Sequence, residues 1–134
     1  MIRSDDTGKL VLRLALGLLI VLHGIAKIGG GVGFISTKLA AYGLPGALAY
    51  LVYVGEIVAP LLVLVGLYTR PAALILVVNM VVAIWLSHSR DLFALGKQGG
   101  AALELQYLFL AAALALTFLG AGRFSVGGSG GRFN

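Results

Sequence analysis

The sequence predicts an all-α membrane protein: a bundle of four transmembrane helices, with a short interfacial helix between the first two. Three observations lead there. Hydrophobic residues make up 60% of the 134-residue chain and charged residues only 11%, where a soluble domain carries about 25% charged residues. The apolar residues fall into four continuous runs, each near the ~20 residues needed to cross a bilayer. None of these runs alternates with a period of two, as a barrel strand would. A soluble domain with this composition would expose a surface that aggregates. In lipid, a helix pairs its own backbone groups and needs no neighbour to do so.

The first run, LVLRLALGLLIVLHGIAKI, covers 10–28. No small-residue cleavage pattern follows it, so it reads as a retained span. The glycines of GGGVG end it, and 34–42 then reads as the interfacial helix, closed by Gly43 and Pro45. The second span covers 46–68, and the tight turn Tyr68-Thr69-Arg70-Pro71 leads into the third, over 71–87. Pro71 suits the first turn of a helix, where its missing N–H has no partner to lose. A polar loop, HSRDLFALGKQGG, precedes the fourth span over 101–119, which Gly120 stops. Small residues such as Gly55, Ala59 and Ala111 to Ala113 let helices approach closely. One domain, 1–124, is expected, with a flexible Gly-rich tail over 125–134.

Ten Lys and Arg residues against five Asp and Glu give a net charge of +5. The basic residues stand singly between apolar runs, with no patch for nucleic acid. Lipid headgroups and topology account for them better. Arg3, Lys9, Arg13, Arg70, Arg123 and Arg132 fall on the side of the termini, and Lys27, Lys38, Arg90 and Lys97 opposite. That bias places both termini in the cytoplasm. Cysteine is absent, so the chain holds no disulfide, thiolate-ligated metal or thiol relay of its own.

Polar residues inside the runs are the candidates for chemistry. At 1.5 Å per residue, Glu56 lies about 15 Å from the nearer end of its span and Asn79 about 13 Å from the same side. Both are close to the bilayer centre. His23 and Lys27 share a helix face at i, i+4, and Tyr53 shares one with Glu56. An ionised carboxylate in lipid is costly, so Glu56 is expected to face inward and find a partner. Asn79 and His23 match it in depth; Lys27 matches Glu104, near the surface. These six residues are expected to line a polar pocket, with Glu56 and His23 as proton-exchanging groups. Each has a plainer reading: a snorkelling Lys27, an Asn79 that ties helices together, a Glu104 that favours a helix dipole. His23 and His88 differ in depth by about two helical turns or slightly less, which does not suit paired haem ligands, and no spacing signals a metal site of His23, His88 and Glu104.

The stretches LALGLLIVLHGIAK, GEIVAPLLVLVGLYTRPAAL, LELQYLFL and GAGRFSVGG, in that order, resemble the DoxX family over about residues 10–128. Members often close on G-P-G-R-x-S-x-D; here Ala121 replaces the proline and Gly127 the acid. The resemblance implies a small four-helix protein of a bacterial or archaeal cytoplasmic membrane, associated with oxidoreductase complexes and, in the subunit that names the family, with quinone-coupled oxidation of sulfur compounds. The expected role is therefore an accessory subunit of a quinone-linked membrane oxidoreductase, in contact with lipids, other membrane subunits or copies of itself. Quinone is the candidate ligand, and no metal is expected. The alternative is a structural subunit that only packs against a larger complex.

Overall fold

The computed structural model describes residues 4–97 and 99–134, apart from the side chains of Ser87 and His88. Arg3 of the charge bias and the His88 imidazole therefore lie outside the described residues. Helix α1 (Ser4–Gly30) is followed by α2 (Gly33–Ala41) and by a composite helical segment. That segment is a 3₁₀ turn at Gly46–Leu51, a π turn at Val54–Val58, then α3 (Ala59–Val65). Helix α4 (Thr69–His88) and, after a loop, α5 (Glu104–Leu119) complete the bundle. The described residues form no strand beyond a single antiparallel bridge between Leu95 and Ala101.

Three segments are long and apolar enough to cross a membrane: Ser4–Gly30, Gly46–Val65 and Thr69–Leu86. The fourth apolar helix, α5, has 16 residues, which reach about 24 Å against a hydrocarbon core of about 30 Å. By length and composition, three helices among the described residues can cross a membrane, and α5 is a shorter apolar helix. Helix α1 begins six residues before the apolar run, with Asp5 and Asp6 in its first turn. Acids there interact favourably with the positive end of the helix dipole.

The composite form of the second span follows from Pro60. Proline has no N–H, so the carbonyl of Glu56 loses its i+4 donor. The chain widens by one residue at that point, and the N–H of Ala59 bonds Val54 O in the π pattern. Leu16, Ile20, Ala59, Val63, Leu76, Phe109 and Leu116 form the main core, between α1, α3, α4 and α5. Ala72, Ala73 and Ala113 are fully buried in it. Their small side chains let α4 and α5, the most extensively packed helix pair, approach closely. Val32, Leu39 and Ala49 form a second cluster, which seats α2 on the 3₁₀ turn.

The ends of α3 and α5 explain much of the rest. A helix leaves its last four carbonyls without internal donors. In α3, Leu62 O accepts from the N–H groups of Gly66 and Leu67, and Val65 O from that of Val126. Arg13, 1% exposed, covers the other two: its Nε donates to Val63 O at 2.9 Å and its Nη2 to Leu64 O at 2.9 Å. The same guanidinium donates through Nη1 to Ala121 O at 3.0 Å and Phe124 O at 2.8 Å. In α5, Leu116 O accepts from Gly120 N–H, and Arg70 donates to the carbonyls of Thr117, Phe118 and Leu119. A cation at a helix C-terminus also interacts favourably with the dipole.

The segment 125–134, expected to be a flexible tail, instead folds back across these helix ends. Val126 and Gly127 donate to Val65 O and Gly66 O. Asn134, 7% exposed, accepts from the Thr69 N–H at 3.1 Å and the Thr69 hydroxyl at 2.9 Å through Oδ1. Its Nδ2 donates to Gly128 O at 2.8 Å. A Cβ on Gly127 would lie 2.7 Å from that Nδ2. The Asn134 amide therefore fills the space beside Gly127. Glycine content suggests flexibility, but the open backbone groups at the ends of α3 and α4 give this stretch fixed partners.

Arg13→Met is expected to destabilise the fold by about 3 kcal/mol or more, because it leaves buried carbonyls without donors. Asn134→Ala should cost about 1–2 kcal/mol. Unfolding in mixed micelles, followed by Trp85 fluorescence, measures both. An Arg13→Met cost below that of Asn134→Ala would contradict the assigned role of the arginine.

Candidate functional site

Lys27 lies in the last turn of α1, and Glu56 lies on the π turn. Their side chains meet in an ion pair, Nζ to Oε2. Glu56 is only 7% exposed. The carboxylate is thus turned inward and partnered, as a charge inside an apolar span has to be. Its partner, however, is Lys27 and not Asn79 or His23, and Lys27 correspondingly does not pair with Glu104. Helix α1 continues past Lys27 to Gly30, so the lysine is one turn inside the helix rather than at its edge. Its flexible four-carbon stem then reaches inward to Glu56 instead of outward to headgroups. The Tyr53 hydroxyl donates to Lys27 O at 3.0 Å, tying the turn before the π segment to the end of α1.

Two glycines make this approach possible. A Cβ on Gly24 would stand 2.4 Å from Glu56 O. Only a residue without a side chain lets α1 lie against the carbonyl that Pro60 leaves without a helical donor. A Cβ on Gly55 would stand 2.5 Å from Asn79 Oδ1, so this glycine makes room for the Asn79 carboxamide beside the ion pair. Asn79 Nδ2 is buried and has no hydrogen-bond partner among the described residues. A buried donor without an acceptor is costly, which sets Asn79 apart from the other polar groups on this wall.

Asn79, Glu56, Lys27 and His23 line one cavity of about 880 Å³, with Gln106 of α5 and Lys38 of α2 also on its wall. Most of its lining is apolar, including Ile20, Leu48, Met80 and Phe109. A mostly apolar cavity with a few convergent polar groups is the usual form of a small-molecule site. The His23 ring packs edge-on against Phe109, with centroids 6.1 Å apart. Of the six residues expected to form a pocket, the structure brings His23, Lys27, Glu56 and Asn79 to the cavity wall. Tyr53 is bonded just behind it. Glu104 is exposed and belongs to a separate shallow recess beside Gly96, Lys97 and Gly100. The wall formed by α2, with Lys38, was not expected from the sequence, where Lys38 counted only toward charge bias.

Residues 8–89 match the family model described as DoxX. The chain is also similar to "Putative oxidoreductase CatD" of Bacillus subtilis (strain 168), with 32% identity over 82 residues. That alignment covers 61% of this chain and 60% of the relative, so the chain matches little more than half of that protein's length. No solved structure matches the chain. The matched family region carries His23, Lys27, Tyr53, Glu56 and Asn79, and stops before α5.

Lys27→Met is expected to cost about 3 kcal/mol, because it leaves the Glu56 carboxylate buried without its cation. The double variant Lys27→Met/Glu56→Leu should recover most of that loss. A double-mutant cycle on the unfolding free energy tests this; additive single effects would show that the two side chains are not coupled. Gly24→Val should cost about 1–3 kcal/mol through overpacking against Glu56 O.

Proposed function

The chain belongs to the DoxX family, and from that premise we propose that it serves a membrane oxidoreductase as an accessory subunit that holds a quinone in the cavity between α1, α2, α4 and α5. The observation that carries the proposal is the orphaned Asn79 Nδ2 on the wall of an apolar cavity that also bears His23 and the Lys27–Glu56 pair. A quinone ring offers carbonyl oxygens that accept hydrogen bonds and carries no donor of its own. When bound, it supplies two-electron, two-proton acceptor chemistry. The donor set fits: Asn79 Nδ2 has a free N–H, and the apolar remainder suits a ring and an isoprenoid chain.

In this reading each residue has a distinct task. Asn79 orients the bound ring by donating to a carbonyl oxygen. His23 and the Glu56 carboxylate, held by Lys27, pass protons to and from the cavity as general acid–base groups. Tyr53 fixes the backbone of Lys27 and so the position of the ion pair. Electrons come from a cofactor in a partner subunit, since this chain has no cysteine and two histidines as its only imidazoles. The site belongs to a cytoplasmic membrane, with both termini on the cytoplasmic side by the Lys and Arg bias.

A purely structural role is the second reading. It is favoured by α5, which is shorter than a full span and presents Leu105, Leu108 and Phe118 to the outside. In that reading a neighbouring subunit covers the short helix.

Gentle detergent extraction followed by lipid analysis should recover quinone with the protein. Asn79→Leu should lower quinone affinity about tenfold, the effect of one lost hydrogen bond to a desolvated site. Glu56→Gln and His23→Ala should slow quinone reduction with the complex still assembled. Unchanged affinity and kinetics in all three variants would leave only the structural role.

A further inference from the structure

The redox reading makes no use of Lys38, yet Lys38 is the cavity's uncompensated charge. The ionisable groups on the wall are His23, Lys27, Lys38 and Glu56. Glu56 is taken by Lys27. Lys38 is half-buried and has no hydrogen-bond or ion-pair partner among the described residues. The cavity therefore carries an excess positive charge next to apolar surface, and that charge lies at one end.

The level of that end is marked by aromatic residues. Tyr42, one helical turn beyond Lys38, stacks on Trp85 with ring centroids 4.5 Å apart. Both rings are partly exposed, Tyr42 at 49% and Trp85 at 45%. Exposed Tyr and Trp collect where a membrane meets water. Lys38 thus sits at headgroup level, while the cavity runs inward past Leu39, Leu48 and Leu86 to Ile20 and Phe109 in the core of the bundle. A charged mouth with an apolar interior is the complement of a single-chain amphiphile.

We propose that this cavity binds a long-chain carboxylate, with its head against Lys38 and its hydrocarbon chain along the apolar wall, and that such a ligand excludes quinone from the same space. The charge decides the class. A neutral amphiphile would leave Lys38 unpaired, and a cationic one would face it. The inference does not depend on the redox role, since binding is read with no quinone present.

Trp85 is the single tryptophan of the chain and lines the cavity, so it reports occupancy directly. The protein, in nanodiscs of zwitterionic lipid free of quinone, is titrated with a brominated stearate, and quenching of Trp85 is followed. Saturable quenching is expected. Lys38→Gln should weaken it about tenfold, as expected for one lysine at headgroup level with added burial. Lys38→Arg should retain it within a factor of about two. The corresponding brominated stearyl alcohol should quench without saturating. Equal midpoints in wild type and Lys38→Gln, or a saturable curve for the alcohol that matches the stearate, would overturn the proposal. Far-ultraviolet circular dichroism of each variant separates lost binding from lost folding.

Discussion

Inside an apolar medium a backbone carbonyl has no water to fall back on, and this fold is organised around finding donors for such groups. The last four carbonyls of α3 are each met, two of them by Arg13 and one by the N–H of Val126. Those of α5 are met by Arg70 and by Gly120. Two arginines on different helices thus cap the C-termini of two others. The capping holds the bundle together at one end. Arg13 joins α1 to α3 and to the stretch after α5, and Arg70 joins the start of α4 to the end of α5. Segment 125–134 extends the same scheme, supplying N–H groups and the Asn134 amide where the helices stop.

The other end of the bundle uses a break in the same rule. Pro60 removes a donor from the Glu56 carbonyl, and the helix responds with a π turn. Such turns concentrate at functional sites, because they reorient side chains that a regular helix would point elsewhere. Here the turn places Glu56 against Lys27, while Gly24 lets α1 close onto the carbonyl that lost its donor. Gly55 clears space for Asn79 on α4. The polar wall of the cavity therefore follows from one proline and two glycines, with Tyr53 fixing the register between α1 and the turn. The bundle is thus capped by arginines at one end and holds the cavity at the other.

Membership of the DoxX family and similarity to a protein named as an oxidoreductase direct attention to redox chemistry. Under the proposed function, the chain would contribute binding, orientation and proton-exchanging groups, and the electrons would arrive from a partner. The alternative occupant argued from Lys38 gives the same cavity a second use, set by charge at its mouth rather than by the polar groups in its depth.

Local pattern carried the helical class, the break at the glycines after α1, the turn before α4 and the stop at Gly120. Apolar run length and Gly and Pro positions act over a few residues and need no knowledge of neighbours. The burial of Glu56 was legible for the same reason, since a charge deep in an apolar run has to turn away from lipid. Its partner was not. Depth estimated residue by residue matched Lys27 with Glu104, but side-chain reach and the extra turn of α1 put Lys27 beside Glu56. The capping roles of Arg13 and Arg70, the docked segment at 125–134 and the α2 wall with Lys38 were also hidden, because each depends on residues about 50 or more positions apart or on how one helix seats against another. The sequence alone determined which segments become helices and which side chains cannot face lipid, since both follow from the chain's own chemistry and its solvent. Only the tertiary structure decided which groups meet, because pairing depends on the relative placement of helices, which no local pattern encodes.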